Sequence, residues 1–135
     1  MYKTPEDFKK SVCSIYFETV TYNITGCLSI SVEKKDDTIS VNVDFPWSST
    51  RTITQKRWDA MLSKLFDDYK ILDWKRKNEP EGYCITDGTS WVLKVKPAEG
   101  RTRIWRGYNA FPPQWDNMEK MFRRLAGKDG NYNGK

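Results

Sequence analysis

The sequence predicts an α+β fold in two layers: an antiparallel sheet with two amphipathic helices packed on one face, plus a short N-terminal helix. Two observations lead to this fold class. Several segments alternate apolar and polar residues, as half-buried antiparallel strands do. Two other segments place apolar residues at helical spacing, and each follows a predicted hairpin, so both helices should cover one face of the sheet.

The first third of the chain predicts one short helix and three strands. Thr4 can cap the helix and Pro5 suits its first position, which places the helix at 5–10. Residues 14–22 are rich in β-branched and aromatic side chains and favour a strand. Alternation predicts two more strands, whose apolar residues are Leu28, Ile30 and Val32, then Ile39, Val41, Val43 and Phe45.

The middle of the chain predicts the first amphipathic helix, after a loop at 46–51. Thr54 can cap this helix. Residues 71–74 favour a short strand, and 75–82 are polar and predict a loop. The apolar stripe of the helix consists of Trp58, Met61, Leu62, Leu65, Phe66 and Tyr69.

The last third predicts a hairpin followed by the second helix. Asp87-Gly88 indicates a turn, residues 91–95 alternate as a strand, and 101–108 form the returning strand. Pro112-Pro113 ends that strand and starts a helix, and Gly127 suits its C-terminal end. The apolar positions of the helix are Trp115, Met118, Met121, Phe122 and Leu125.

Length and composition indicate one domain and an anionic partner. The 135 residues suit a single α+β domain at 1–127, followed by a Gly/Asn/Lys-rich tail at 128–135 that we expect to be flexible. Basic residues outnumber acidic ones by 23 to 18, which gives a net charge of +5. This balance favours nucleotides, nucleic acid or acidic protein surfaces as partners; alternatively, it only keeps the protein soluble.

The chain contains no histidine, which excludes His-based triads, Cys–His pairs and His-ligated metals. Three cysteines cannot form a four-thiolate site, and no phosphate loop, nucleophile elbow or dinucleotide fingerprint is present. We therefore expect no catalytic residue, metal or cofactor. The odd cysteine count and the lack of an apolar run of roughly 20 residues predict a reduced cytoplasmic protein without membrane contact. For a phage gene this would be the host cytoplasm.

The strongest candidate site is the basic C-terminal hairpin. If Ile104 faces the core, an exposed surface results that combines cations with an indole. Guanidinium groups fork onto phosphates and an indole can stack on a base; alternatively, the cations only protect a solvated sheet edge from aggregation. The residues that carry this hypothesis are Lys94, Lys96, Arg101, Arg103, Trp105 and Arg106.

The loop after the hairpin adds Tyr108 and Asn109 as candidate ligand-binding residues. Backbone N–H groups that precede a helix can bind an anion, although Pro112 and Pro113 remove two such donors. The alternative is a connector between strand and helix in which Gly107 and Asn109 serve only the backbone geometry.

The same region resembles a group of small uncharacterised bacterial proteins, found in Firmicutes and gut bacteria. Their signature is Asp-Gly-Thr-x-Trp, an alternating strand, then Gly-x-Asn-Ala-aromatic-Pro. The resemblance covers roughly the C-terminal half and implies no activity. Lys94 and Lys96 depart from it, since many of these proteins carry acids on that strand. The matching residues are Asp87, Gly88, Thr89, Trp91, Gly107, Asn109, Ala110, Phe111, Pro112 and Trp115.

These observations favour a non-enzymatic binding or inhibitor protein that captures an anionic partner on a basic, aromatic-bearing face. An immunity protein or a phage protein that blocks a host defence would need no more than this. One alternative is a metal-dependent phosphodiesterase or nuclease that uses carboxylates. Another is a housekeeping interaction domain, and a homo-oligomer is compatible with each of the three.

Overall fold

The computed structural model describes residues 4–21, 27–78 and 88–127. Its helices are α1 (Pro5–Ser11), α2 (Gln55–Ser63), which continues as a π-helical turn (Lys64–Asp68), a 3-10 turn (Ile71–Asp73) and α3 (Trp115–Ala126). Its strands are β1 (Val12–Thr21), β2 (Leu28–Lys35), β3 (Thr38–Phe45), β4 (Ser49–Ile53), β5 (Lys77–Asn78), β6 (Thr89–Pro97) and β7 (Arg103–Tyr108). The predicted tail at 128–135 lies outside the described residues.

The described strands form one sheet in the order β4-β3-β2-β1-β6-β7-β5. Neighbouring strands are antiparallel except for β5 and β7, which pair in parallel. The predicted α+β class is therefore confirmed: the described helices pack on one face of the sheet, and none of them covers the other, which we call the open face. β1 lies in the middle and pairs with both β2 and β6, which are far apart in the sequence.

Three predictions of local structure in the middle of the chain are wrong. The predicted loop at 46–51 contains the start of β4, a strand with no fully buried residue, which explains its weak apolar pattern. The predicted strand at 71–74 is a 3-10 turn, because Lys70 adopts a left-handed conformation (φ 54°) that ends the preceding helix. The predicted loop at 75–82 contains the two-residue strand β5.

Aromatic contacts join the helices to the covered face of the sheet. Phe122 of α3 stacks on Phe17 of β1, with ring centroids 4.6 Å apart and planes 8° from parallel. Phe8 of α1 meets Phe66 edge-on at 5.9 Å. Within the three described ranges, no helix is long and apolar enough to cross a membrane.

The two faces of β1 carry different kinds of side chain. Ile15 and Phe17 point into the core and are fully buried. The alternate residues Tyr16, Glu18 and Val20 lie on the open face of the sheet, where no described helix covers them. The centre of the open face therefore carries an aromatic ring, a carboxylate and an exposed apolar side chain.

Thr19 breaks the apolar pattern of the covered face. It is completely buried, and its hydroxyl has no hydrogen-bond partner among the described residues. We expect Thr19→Val to raise the free energy of unfolding by about 1 kcal/mol, because it removes an unpaired buried polar group at nearly constant shape. Chemical denaturation measures the change, with exposed Thr52→Val as control. A loss of stability in Thr19→Val would mean that the hydroxyl is paired.

Candidate anion-binding site

The register of the β6–β7 hairpin decides which residues of the predicted site are exposed. Leu93 pairs with Trp105 and Lys94 pairs with Ile104, and residues that pair directly share a face. Trp105 is 1% exposed and belongs to the core, whereas Ile104 lies on the open face beside Lys94. The expectation that Ile104 faces inward and Trp105 outward is wrong. The indole is the larger apolar group, so its burial removes more apolar surface from water.

The same register separates the predicted cations. Arg103 lies on the covered side with Trp105, and its guanidinium is 4.6 Å from the centre of the Phe8 ring. Arg101 is exposed in the turn that precedes β7. Lys96 is exposed on the open face opposite Ser14. Of the six hairpin residues predicted, Lys94, Lys96 and Arg106 therefore share the open face.

Asn109 has a structural position at the end of the hairpin. Its backbone N–H donates to the Thr89 carbonyl at 2.8 Å, and its side-chain Oδ1 accepts from the Thr89 N–H at 2.8 Å. A Cβ atom at Gly88 would overlap the Asn109 amide. Asn109 itself is left-handed, with φ 53°. These contacts give Gly88, Thr89 and Asn109 a structural role that requires no ligand.

The Trp91 indole makes a second link between the hairpin and the loop after it. Its Nε1 donates to the Ala110 carbonyl at 2.9 Å, and its ring lies 5.3 Å from that of Trp115. A Cβ atom at Gly107 would overlap this indole and lie 2.7 Å from the Ala110 oxygen. Much of the signature therefore fixes the hairpin to the start of α3.

Gly107→Ala is expected to destabilise the fold by about 1–3 kcal/mol, because the added methyl displaces the Trp91 indole from a packed position. Thermal unfolding checks this, and Thr102→Ala in the exposed hairpin turn serves as control. If the two variants unfold at the same temperature, the close packing at Gly107 contributes nothing measurable.

A trough of about 370 Å³ lies on the open face above β6. Ser90, Val92 and Lys94 of β6 line its floor. We call this cavity the trough, and its two walls come from the strands on either side of β6. The wall residues are Glu18 and Val20 of β1, and Arg106 and Tyr108 of β7.

The pairing of the strands fixes the layout of the trough. Glu18, Val92 and Arg106 form one row across β1, β6 and β7, and Val20, Ser90 and Tyr108 form the next row. Lys94 is two residues from Val92, so it lies diagonally from Arg106. The trough therefore has Lys94 at one end of its floor and Arg106 in the wall of the next row, where Glu18 faces Arg106 across the width.

The two cations of the trough have no anionic partner among the described residues. The Lys94 ammonium lies 5.4 Å from the Tyr16 ring centre, a cation–π contact that leaves its charge uncompensated. Burial raises the pKa of Tyr16, and the charge of Glu18 adds to the rise. Tyr16 is therefore neutral at physiological pH and adds no negative charge beside Lys94.

Glu18, Val20, Ser90 and Val92 are site residues that were not predicted from the sequence. The alternation of Ile15 and Phe17 with polar neighbours in β1 could have assigned Glu18 to the open face. No local signal indicates that β1 lies beside β6, because about half of the chain separates the two strands.

The described residues contain a second cationic pocket and no metal site. Lys64, Lys120 and Arg124 line a pocket of about 300 Å³ between the π-helical turn and α3, together with Asp68. No group of three or more Asp, Glu or Cys side chains in the described ranges could hold a metal ion. A further pocket, of about 150 Å³, places Arg57, Lys64 and Arg124 beside Met61 and Met121. Of these three cationic pockets, the trough is the one on the open face of the sheet.

No protein-family model, curated protein or solved structure matches this chain. The resemblance to the small bacterial proteins remains a prediction.

Proposed function

We propose that this protein binds an anionic partner in the trough and acts by capturing that partner, without a catalytic step. The observation that supports this most is the position of Lys94 and Arg106, two cations on one concave surface that form no ion pair with any described residue. Guanidinium and ammonium groups are the side chains that bind phosphate most strongly. Tyr108 supplies the aromatic group of the trough, since Trp105 is buried in the core.

Capture is a sufficient mode of action for an inhibitor, an immunity protein or a phage protein that opposes a host defence. Each of these roles requires complementary charge and shape, and none requires a reacting group. The open face contributes both, because the helices lie on the opposite side of the sheet and leave the trough accessible to solvent.

Calorimetric titration with inorganic pyrophosphate tests the proposal with the simplest multivalent phosphate. We expect one site per chain, with an affinity that falls as salt increases because the contacts are ionic. The variant Arg106→Leu should weaken binding, whereas Lys120→Leu in the pocket beside α3 should not. The reverse order of effects would place the anion site on the helical layer, and the absence of heat in wild type would refute the proposal.

A further inference from the structure

We infer that the trough is shaped for a nucleoside monophosphate, with its phosphate between Lys94 and Arg106 and its nucleoside above Val92. This inference rests on the proposed function and makes it more specific. It identifies the ligand class from the size of the trough, from the carboxylate in its wall and from its apolar surfaces.

The size of the trough suits one nucleotide unit. Its volume of about 370 Å³ is near the lower end of small-ligand pockets, which hold roughly 300–1,000 Å³. A single strand of nucleic acid would need successive exposed rings on which its bases stack. Among the described residues, Tyr16 on this face is already covered by Lys94 and shares a hydrogen bond with Ser29. Phe45 is exposed but lies on β3, three strands away from β6, so it does not continue a row of rings with Tyr108.

The distribution of charge in the trough also distinguishes a nucleotide from a polyanion. Glu18 and Arg106 lie in one row on either side of β6, so their strands are about 10 Å apart. A phosphate chain that crossed the trough would meet the Glu18 carboxylate and be repelled. A nucleoside presents hydroxyl and amino donors at a distance from its phosphate, and an ionised carboxylate accepts only from donors.

The remaining surfaces suit a flat ring. Val92 forms an apolar floor between the two charged walls, and Val20 is 43% exposed on the β1 side. Tyr108 contributes an aromatic side chain on the β7 side. A base bound here would cover apolar surface that is now in water, which a bare phosphate cannot do.

Calorimetry with AMP, GMP, CMP, UMP and inorganic phosphate tests the inference on the whole chain. We expect at least one nucleotide to bind at least about tenfold more tightly than phosphate, since it adds contacts with Glu18 and with the apolar surfaces. Glu18→Gln should weaken that nucleotide about tenfold, because it removes the acceptor charge, and leave phosphate binding unchanged or tighter, because it removes a repulsive charge. Glu33→Gln is the matched control, because Glu33 is an exposed carboxylate on the same face and outside the trough.

Each other outcome overturns the inference in a recognisable way. Phosphate and nucleotides of equal affinity would refute it and leave the proposed function intact. Tight binding of a ten-nucleotide single strand, with mononucleotides no better than phosphate, would also refute it in favour of a strand. If neither phosphate nor nucleotide binds, both proposals fail. If Glu18→Gln does not fold, Tyr108→Leu provides a second test. This variant should weaken nucleotide binding and leave phosphate binding unchanged.

Discussion

Replacing both Lys94 and Arg106 with glutamate is expected to weaken pyrophosphate binding by at least about 100-fold. A hydrogen bond to a charged group contributes about 1.5–3 kcal/mol, and 1.4 kcal/mol corresponds to a factor of ten in affinity. The variant loses two such contacts and gains two repulsive charges. Its fold should be retained, because both side chains are exposed on the open face.

The control for this variant is Lys56→Glu with Arg57→Glu, which changes the net charge by the same amount. Both residues are exposed near the start of α2, whose first turn contains no acid, so negative charge there is tolerated. The control should bind pyrophosphate nearly as well as wild type. An equal loss in both variants would mean that pyrophosphate responds to net charge and not to the trough.

Trp105→Ala is expected to lower the free energy of unfolding by about 3–5 kcal/mol, the usual range when a buried large aromatic residue is truncated. The indole is 1% exposed and pairs across the hairpin with Leu93, which is fully buried. Denaturant unfolding followed by circular dichroism measures the loss. Trp105→Phe should lose less, because it keeps a ring in place and removes an indole N–H that has no partner in the described part of the chain.

The stability of the Trp105→Ala variant distinguishes a buried Trp105 side chain from the exposed one that the sequence predicted. An exposed stacking indole would leave stability nearly unchanged on truncation and reduce ligand binding directly. A Trp105→Ala variant as stable as wild type, with binding lost, would contradict the inward orientation. A destabilised variant that still binds pyrophosphate at low temperature is the expected result.

The strands that could be predicted from the sequence are those with one solvent-exposed face and one buried face. Ile39, Val41 and Val43 alternate with polar residues because β3 lies within the sheet and is covered on one side. β4 was missed because it is an edge strand, where no residue is fully buried and the apolar signal is weak. The pairing of β1 with β6 depends on contacts between distant segments, which local alternation does not encode.

The candidate site could be predicted only in part, because the length of the hairpin turn does not determine which face each residue of β7 occupies. Seven residues, 96–102, separate the paired residues Val95 and Arg103, and a connection of this length leaves the phase of the second strand open. One phase of β7 buries Ile104 and exposes Arg101, Arg103 and Trp105, whereas the other buries Trp105 and exposes Ile104, Arg106 and Tyr108. The larger of the two apolar side chains, Trp105, is buried, and Arg106 and Tyr108 therefore lie on the open face.

Mapping pyrophosphate onto the protein by amide chemical shifts is the most direct test of the trough. In ¹H–¹⁵N spectra of the wild-type chain, titration should move the amides of β6 and β7 around Val92, Lys94 and Arg106, with smaller changes in β1. The amides of α3 should stay in place. Shifts concentrated at Lys120 and Arg124 of α3, with β6 and β7 unmoved, would contradict the assignment of the anion site to the open face.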